Sequence, residues 1–284
     1  MVETIGEALL EATHVLSRAG VPEARREAGS LLAFVAKRDR TFLISNADYV
    51  LSEAELSNFR HVVERRTTGE PQQYITGVQD FFNRQFKVTP DVLIPRPETE
   101  LLIEAALKII DNQKAMNICD VGTGSGCIAV TLLCERETLK AVAVDISDAA
   151  LRIAEENAKS LGVVERISLV KSDCFESLST EARFDLVVSN PPYVSSDALN
   201  GLQREVKDHE PLVALTPGAD GLSVIRRLLV DAPQYLCLHG YLLMEIGFDQ
   251  SEKLTKLIDT DTWRLEDILP DLQGIPRIAV LQLT

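Results

Sequence analysis

Ile5, Ala8, Leu9, Ala12, Leu16 and Ala19 return every three or four positions, which predicts a helix with one apolar face, and Gly20 is placed to end it. Pro22 suits the first position of a second helix, whose stripe is Ala28, Leu31, Leu32 and Val35. Ser52-Glu53-Ala54-Glu55 has the form of a capping box ahead of Leu56, Phe59, Val62 and Val63. Residues 1–70 are therefore expected to form a small helical domain. Gly69-Glu70-Pro71 breaks the helical pattern. Aromatic and β-branched residues with turn formers follow, and residues 80–88 read as a hairpin turning near Asn83-Arg84. Residues 71–93 are expected to be a β-hairpin linker.

From 94 to 284 short apolar runs alternate with helical stretches. The runs are 117–121, 141–144, 167–170, 184–188 and 241–246, and helical stretches such as 128–134 and 149–160 separate the earlier ones. Strand–helix alternation predicts an α/β fold with a parallel sheet covered on both faces. Residues 277–283 read as one more strand, of a direction that periodicity does not define.

Composition narrows the classes. At about 150 residues per domain, 284 residues make one large domain or two unequal ones. The chain is 45% hydrophobic and 25% charged, enough for a substantial core and unlike a disordered chain. Twenty-nine basic against 43 acidic residues give a net charge of −14, which disfavours direct binding to bulk nucleic acid. The five cysteines include no CxxC pair, so free thiols in a reducing cytosol are expected rather than disulfides or a zinc site. His14, His61, His209 and His239 have no metal spacing, and no metal is expected. The first 19 residues mix Glu3, Glu7 and Glu11 into their apolar positions, unlike a signal peptide. No apolar run approaches the roughly 20 residues of a membrane span. The expectation is a cytoplasmic protein, with nothing that requires more than a monomer.

Candidate chemistry begins where the first strand of the α/β region meets its first helix, at Asp120-Val121-Gly122-Thr123-Gly124-Ser125-Gly126. Glycines there allow a tight turn and close approach of a ligand to the backbone. An acid leads the loop, which disfavours a diphosphate and suits a cationic group such as S-adenosylmethionine, with its ammonium and sulfonium. Asp145, at the end of the next strand, can accept hydrogen bonds from both ribose hydroxyls, or can act as a helix N-terminal acid before Ser147. Asp173, with Cys174, ends the third strand, where its carboxylate can meet an adenine amino group.

Asn190-Pro191-Pro192-Tyr193 directly follows the fourth strand. The two prolines stop the strand and leave carbonyls free to accept, and the Asn190 side-chain oxygen is a further acceptor. Two acceptors on a rigid turn suit a planar NH2 group, which Tyr193 can cover by stacking. Alone, the prolines would be a loop breaker. At the fourth strand end, after a cofactor-type loop, they resemble the acceptor turn of amino-group methyltransferases of the class I fold.

Further segments narrow the resemblance. They are Gly69-Glu70-Pro71-Gln72-Gln73-Tyr74-Ile75-Thr76-Gly77, Val92-Leu93-Ile94-Pro95-Arg96-Pro97-Glu98-Thr99-Glu100, Glu210-Pro211 through Ala214-Leu215, Gly218-Ala219-Asp220-Gly221-Leu222, and Met244-Glu245-Ile246-Gly247 with Gln250. With Asn190–Tyr193 they resemble the release-factor glutamine methyltransferases, the HemK/PrmC family, over nearly the whole chain. That resemblance implies a class I, Rossmann-like, mostly parallel seven-stranded sheet over residues 94–284 and an N-terminal domain that docks the protein substrate. It implies methyl transfer from S-adenosylmethionine, leaving S-adenosylhomocysteine, to the side-chain N5 of the glutamine in the Gly-Gly-Gln motif of peptide-chain release factors.

Carried onto this chain, Gly122, Thr123, Gly124, Ser125 and Gly126 form the cofactor loop, Asp145 holds the ribose, and Asp173 and Cys174 border the adenine. Cys174 departs from the bulkier, often aromatic residue that many relatives carry. Asn190, Pro191, Pro192 and Tyr193 hold the substrate glutamine, with Asn190 also near the cofactor. Arg96, Glu98, Glu210 and Glu245 are pocket or supporting groups in one reading and ordinary acids or helix-start residues in the other. Two rival functions share parts of the pattern. A nucleic-acid amino methyltransferase shares both loops but is disfavoured by the net charge and the absence of a basic, aromatic-rich accessory domain. A noncatalytic binding module would not need both loops together with Asp145.

Overall fold

The computed structural model describes residues 3–110 and 116–284. The chain forms two compact units. One runs through Val78 and takes in Gln203–His209; the other holds Gln79–Leu202 and Glu210–Thr284.

The first unit is helical, with helices Ile5–Arg18, Ala24–Ala36, Arg40–Ser45, Glu53–Thr67 and Gln72–Thr76. The stripes meet as their spacing requires: Leu16, Leu31, Leu32, Phe59 and Val62 are buried in one cluster. Ser52 forms its capping box, with the Glu55 N–H donating to its hydroxyl at 3.2 Å and its own N–H donating to the Glu55 carboxylate at 2.8 Å. Pro22 does not occupy the first helical position. Glu23 takes the left-handed conformation (φ 49°), and the helix begins only at Ala24, so Pro22 belongs to the preceding turn. Arg66 is buried to 1% exposure and is neutralised by Glu27 and Glu205. This pairing draws the short helix Arg204–His209, remote in sequence, into the helical unit.

The hairpin is β1 (Val78–Phe81) and β2 (Arg84–Lys87). Its turn is Phe82-Asn83, one residue earlier than the sequence suggests. Both residues have positive φ (46° and 57°), as a two-residue turn matched to strand twist demands.

The sheet of the second unit has seven strands: β3 (Asn117–Val121), β4 (Lys140–Asp145), β5 (Ile167–Lys171), β6 (Phe184–Ser189), β7 (Leu236–Glu245), β8 (Trp263–Pro270) and β9 (Pro276–Leu283). Their order is β5-β4-β3-β6-β7-β9-β8. The first five pair in parallel, and β9 runs antiparallel between β7 and β8. Both faces are covered, and alternation along β6 shows it: Leu186 and Val188 enter one apolar cluster and Val187 the other. The α/β sheet expected from strand–helix alternation is therefore present. β8 is not visible in the hydrophobic pattern, because it is an edge strand on which Arg264, Glu266 and Asp267 are not buried and Trp263 alone is.

Parallel pairing brings the C-terminal ends of β3, β4, β5 and β6 to one edge. The chain order reverses beside β3, since β4 and β5 lie to one side and β6 to the other. Such a reversal opens a crevice outside the strand ends, where ligands of open α/β sheets bind.

Candidate active site

The crevice holds a cavity of about 430 Å³. Its wall takes residues from all four strand ends: Gly122–Ser125, Asp145, Ser172–Cys174 and Asn190–Pro192. The ranges come together because the register places Val121, Val144 and Ser189 at neighbouring strand ends.

The glycine loop is shaped mainly by its own backbone. The N–H groups of Gly122 and Thr123 both donate to the Val144 carbonyl, at 2.9 and 3.0 Å. Gly122, Gly124 and Gly126 all have positive φ, at 75°, 55° and 80°. Their reasons differ. A Cβ at Gly122 or Gly124 would meet no atom within 4 Å, so these two face open space. A Cβ at Gly126 would lie 3.1 Å from the Ala154 Cβ, so this glycine lets helix Cys127–Glu135 pack closely against helix Asp148–Ser160.

Asp120 does not line the cavity. It is fully buried beneath the loop, accepting from the Thr123 hydroxyl at 2.7 Å and the Ala129 N–H at 3.2 Å. Burial pushes its carboxyl up to about 7. The acid that the sequence placed toward a cationic ligand is instead an internal brace of the loop.

Asp145 accepts one backbone N–H on each oxygen, from Gly124 at 2.9 Å and Ser147 at 2.9 Å. Burial raises its carboxyl, and these two donors oppose the shift. Its cap-like bond to Ser147 and its place on the cavity wall coexist, so the two readings of Asp145 are not exclusive. Asp173 also lines the cavity, but one of its oxygens is held by Arg227 at 2.7 Å, and Arg227 reaches Glu176 at 3.0 Å as well. Arg227 itself stands in the wall. Cys174 takes the left-handed conformation (φ 50°) that turns the chain after Asp173, and burial pushes its thiol up to about 11.

The Asn-Pro-Pro-Tyr turn is held by side chains from far along the sequence. Asn190 donates through Nδ2 to the Thr99 hydroxyl at 3.1 Å, and Thr99 donates to Glu245 at 2.7 Å. Tyr193 donates its hydroxyl to the other Glu245 oxygen at 3.0 Å. The Tyr193 carbonyl accepts from Gln250 Nε2 at 3.0 Å. Gly221 makes room for this arrangement, because a Cβ there would lie 2.3 Å from the Tyr193 carbonyl oxygen. Burial raises Glu245, and its two hydroxyl donors pull it back; burial and the Glu245 charge together raise the Tyr193 phenol. Pro191 and Pro192 line the cavity, whereas Tyr193 does not. The Tyr193 hydroxyl is anchored to Glu245.

Arg96 and Glu210 form an ion pair outside the cavity wall, and Glu98 is absent from the wall. Pro95 and Thr99 of the same run do reach it. Sequence reasoning therefore missed Arg227, and it met Thr99 and Gln250 only as parts of motifs. A threonine at a helix start reads as a cap, an arginine on a helix reads as solvated, and neither has a local signal of its distant partner.

Known proteins sharpen the geometry. A model of the PrmC N-terminal domain matches residues 7–77, and a model of the methyltransferase small domain matches residues 98–208. The release factor glutamine methyltransferase of Koribacter versatilis is 40% identical over 277 residues, covering 98% of each chain. That of Nitratidesulfovibrio vulgaris is 41% identical over 276 residues, covering 96% of this chain and 93% of its own. The crystal structure of a methyltransferase from Pyrococcus furiosus superposes with a TM-score of 0.52 at 18% identity, over 80% of this chain and 98% of that one, a likeness of fold alone.

Proposed function

We propose a catalytic arrangement for this chain on the premise that it belongs to the family of release factor glutamine methyltransferases. It is a methyltransferase, and it methylates the release factor glutamine. The observation that carries the arrangement is the meeting of Asn190–Pro192 with Gly122–Ser125 and Asp145 on one cavity wall.

The cofactor side fits S-adenosylmethionine. Gly122 and Gly124 leave open space above the loop, and each Asp145 oxygen accepts one N–H and keeps acceptor capacity for a ribose hydroxyl. Asp173 and Cys174 border the adenine, with Arg227 fixing the Asp173 carboxylate. The cofactor supplies a methyl group on a sulfonium, and S-adenosylhomocysteine leaves as a neutral thioether.

On the acceptor side, the Asn190 side-chain oxygen and the Pro191 carbonyl accept the two protons of the glutamine NH2. An amide nitrogen is a weak nucleophile because its lone pair is delocalised into the carbonyl. Gripping both protons polarises the amide and aims the nitrogen at the methyl group. Alignment of this kind is worth up to about 7–11 kcal/mol in favourable intramolecular reactions. Tyr193 holds the turn rigid through Glu245, and the proton released on transfer goes to solvent.

The acceptor is N5 of the glutamine in the Gly-Gly-Gln motif of peptide-chain release factors. The helical unit docks that partner, a single chain suffices, and the reaction belongs in the cytoplasm beside translation. Among the described residues no helix is long and apolar enough to cross a membrane. Direct nucleic-acid contact is not needed, and a net charge of −14 disfavours it.

Labelled methyl transfer tests this arrangement, using an unmethylated release factor beside a copy whose Gly-Gly-Gln glutamine is alanine. Labelling of the first and not the second is expected. Equal labelling of both would contradict the acceptor assignment.

A further inference from the structure

We propose that Thr99 and Glu245 are positioning residues that set which way the Asn190 amide faces, and thereby select an acceptor that arrives with N–H donors. The inference rests on the reading above in which Asn190 grips the acceptor amide.

An asparagine amide has one accepting end and one donating end, and a turn of half a revolution about its last torsion exchanges them. The polypeptide around Asn190 therefore has to specify the orientation. Thr99 is buried to 1% exposure at the start of helix Thr99–Ile110, and its hydroxyl carries a single proton. That proton goes to Glu245 Oε2 at 2.7 Å. The other Glu245 oxygen accepts from Tyr193 at 3.0 Å, so both oxygens of this buried carboxylate act as acceptors. With its proton committed, the Thr99 oxygen can only accept from Asn190. It meets Nδ2 at 3.1 Å, which leaves the amide oxygen for the cavity that Asn190 lines.

Polarity thus passes along a chain from carboxylate to hydroxyl to amide. A Glu245 that accepts on both oxygens makes Thr99 an acceptor toward Asn190, and Asn190 becomes an acceptor toward the substrate. Without the carboxylate, Thr99 is free to donate to the Asn190 oxygen, the amide reverses, and an NH2 group faces an NH2 group. Such a donor–donor meeting costs both desolvated partners a hydrogen bond. The same carboxylate holds the far end of the turn through Tyr193, so one buried group sets both the place and the polarity of the acceptor grip.

The test is a double-mutant cycle read in single-turnover methyl transfer at saturating cofactor and release factor. Thr99→Val keeps the shape and removes the relay. It is expected to slow transfer by roughly 10- to 100-fold, as small misplacements at a reacting centre do. Cofactor affinity should stay unchanged, and Thr99→Ser should restore the rate. In an Asn190→Ala background, Thr99→Val should add nothing, because the amide it orients is gone. Thr99→Val at the wild-type rate beside a slow Asn190→Ala would overturn the inference and leave the role of Asn190 standing. The same slowing factor in both backgrounds would also overturn it, since a merely structural threonine behaves so. A wild-type rate for Asn190→Ala would remove the grip itself and the inference with it. If Thr99→Val does not fold, Thr99→Ala, which removes the same hydroxyl from a smaller side chain, carries the same cycle with the same expected outcomes.

Discussion

The glycine loop and the Asn-Pro-Pro segment line one cavity from neighbouring strand ends and are held by opposite means. Gly122–Gly126 is local. It takes its shape from three left-handed glycines, from hydrogen bonds to the adjacent Val144 carbonyl, and from Asp120 three residues before Thr123. Asn190–Tyr193 is non-local. Thr99, Gly221, Glu245 and Gln250 hold it, from 91 residues before Asn190 to 57 residues after Tyr193. A loop made of backbone conformations carries its instructions within itself. A turn that presents polar atoms in one fixed direction needs a scaffold, and the fold assembles that scaffold from the ends of other strands and helices.

Breaking the scaffolded side is expected to have the largest effect. Asn190→Ala should slow methyl transfer by about 10²-fold, measured in single turnover at saturating substrates. On the other side, Asp145→Ala should act on affinity rather than chemistry. Loss of hydrogen bonds to a charged group is worth about 1.5–3 kcal/mol, so calorimetry should show cofactor binding weakened by about 10- to 100-fold.

Gly221→Ala sharpens the comparison, because it alters the turn without touching any group that meets substrate. Its Cβ would stand 2.3 Å from the Tyr193 carbonyl oxygen on a backbone with φ 73°. We expect a loss of about 1–3 kcal/mol in denaturant unfolding, as for other forced insertions into packed sites, together with slower transfer.

Asp120 tests the local side by pH. Its carboxyl is raised from 3.8 to about 7 by burial, so the folded protein binds its proton more tightly than the unfolded chain does. The stability it contributes is complete below pH 4 and is lost as pH rises through about 7. Asp120→Asn should flatten that part of the stability profile, followed by thermal unfolding between pH 4 and 8.

The smallest effect should come from outside both loops. Ser52→Ala removes a capping box of the helical unit and should cost about 1 kcal/mol of stability. Single-turnover transfer at saturation should be unchanged.

The same contrast explains what was legible in the sequence. The helical stripes, the capping box at Ser52 and the first five strands of the sheet follow from local periodicity, and the structure has them. The glycine loop and the Asn-Pro-Pro turn announce themselves because prolines and glycines constrain their own backbone. Pro22 misled because Glu23 adopts a left-handed conformation that periodicity does not record. The bond of Tyr193 to Glu245 and the inward turn of Asp120 to Thr123 have no local signal in the sequence. Thr99, Arg227 and the Arg66–Glu205 pairing acquire meaning only from partners 54 to 146 residues away. Strand β8 hid because an edge strand buries too little to leave an alternating pattern.

The most direct measurement is a crossed one: cofactor affinity and saturated single-turnover rate, both determined for Asp145→Ala and Asn190→Ala. The account predicts that Asp145→Ala loses affinity and regains most of its rate at saturation, while Asn190→Ala keeps affinity and stays slow. Equal loss of both quantities in both variants would contradict the division of labour between the two loops.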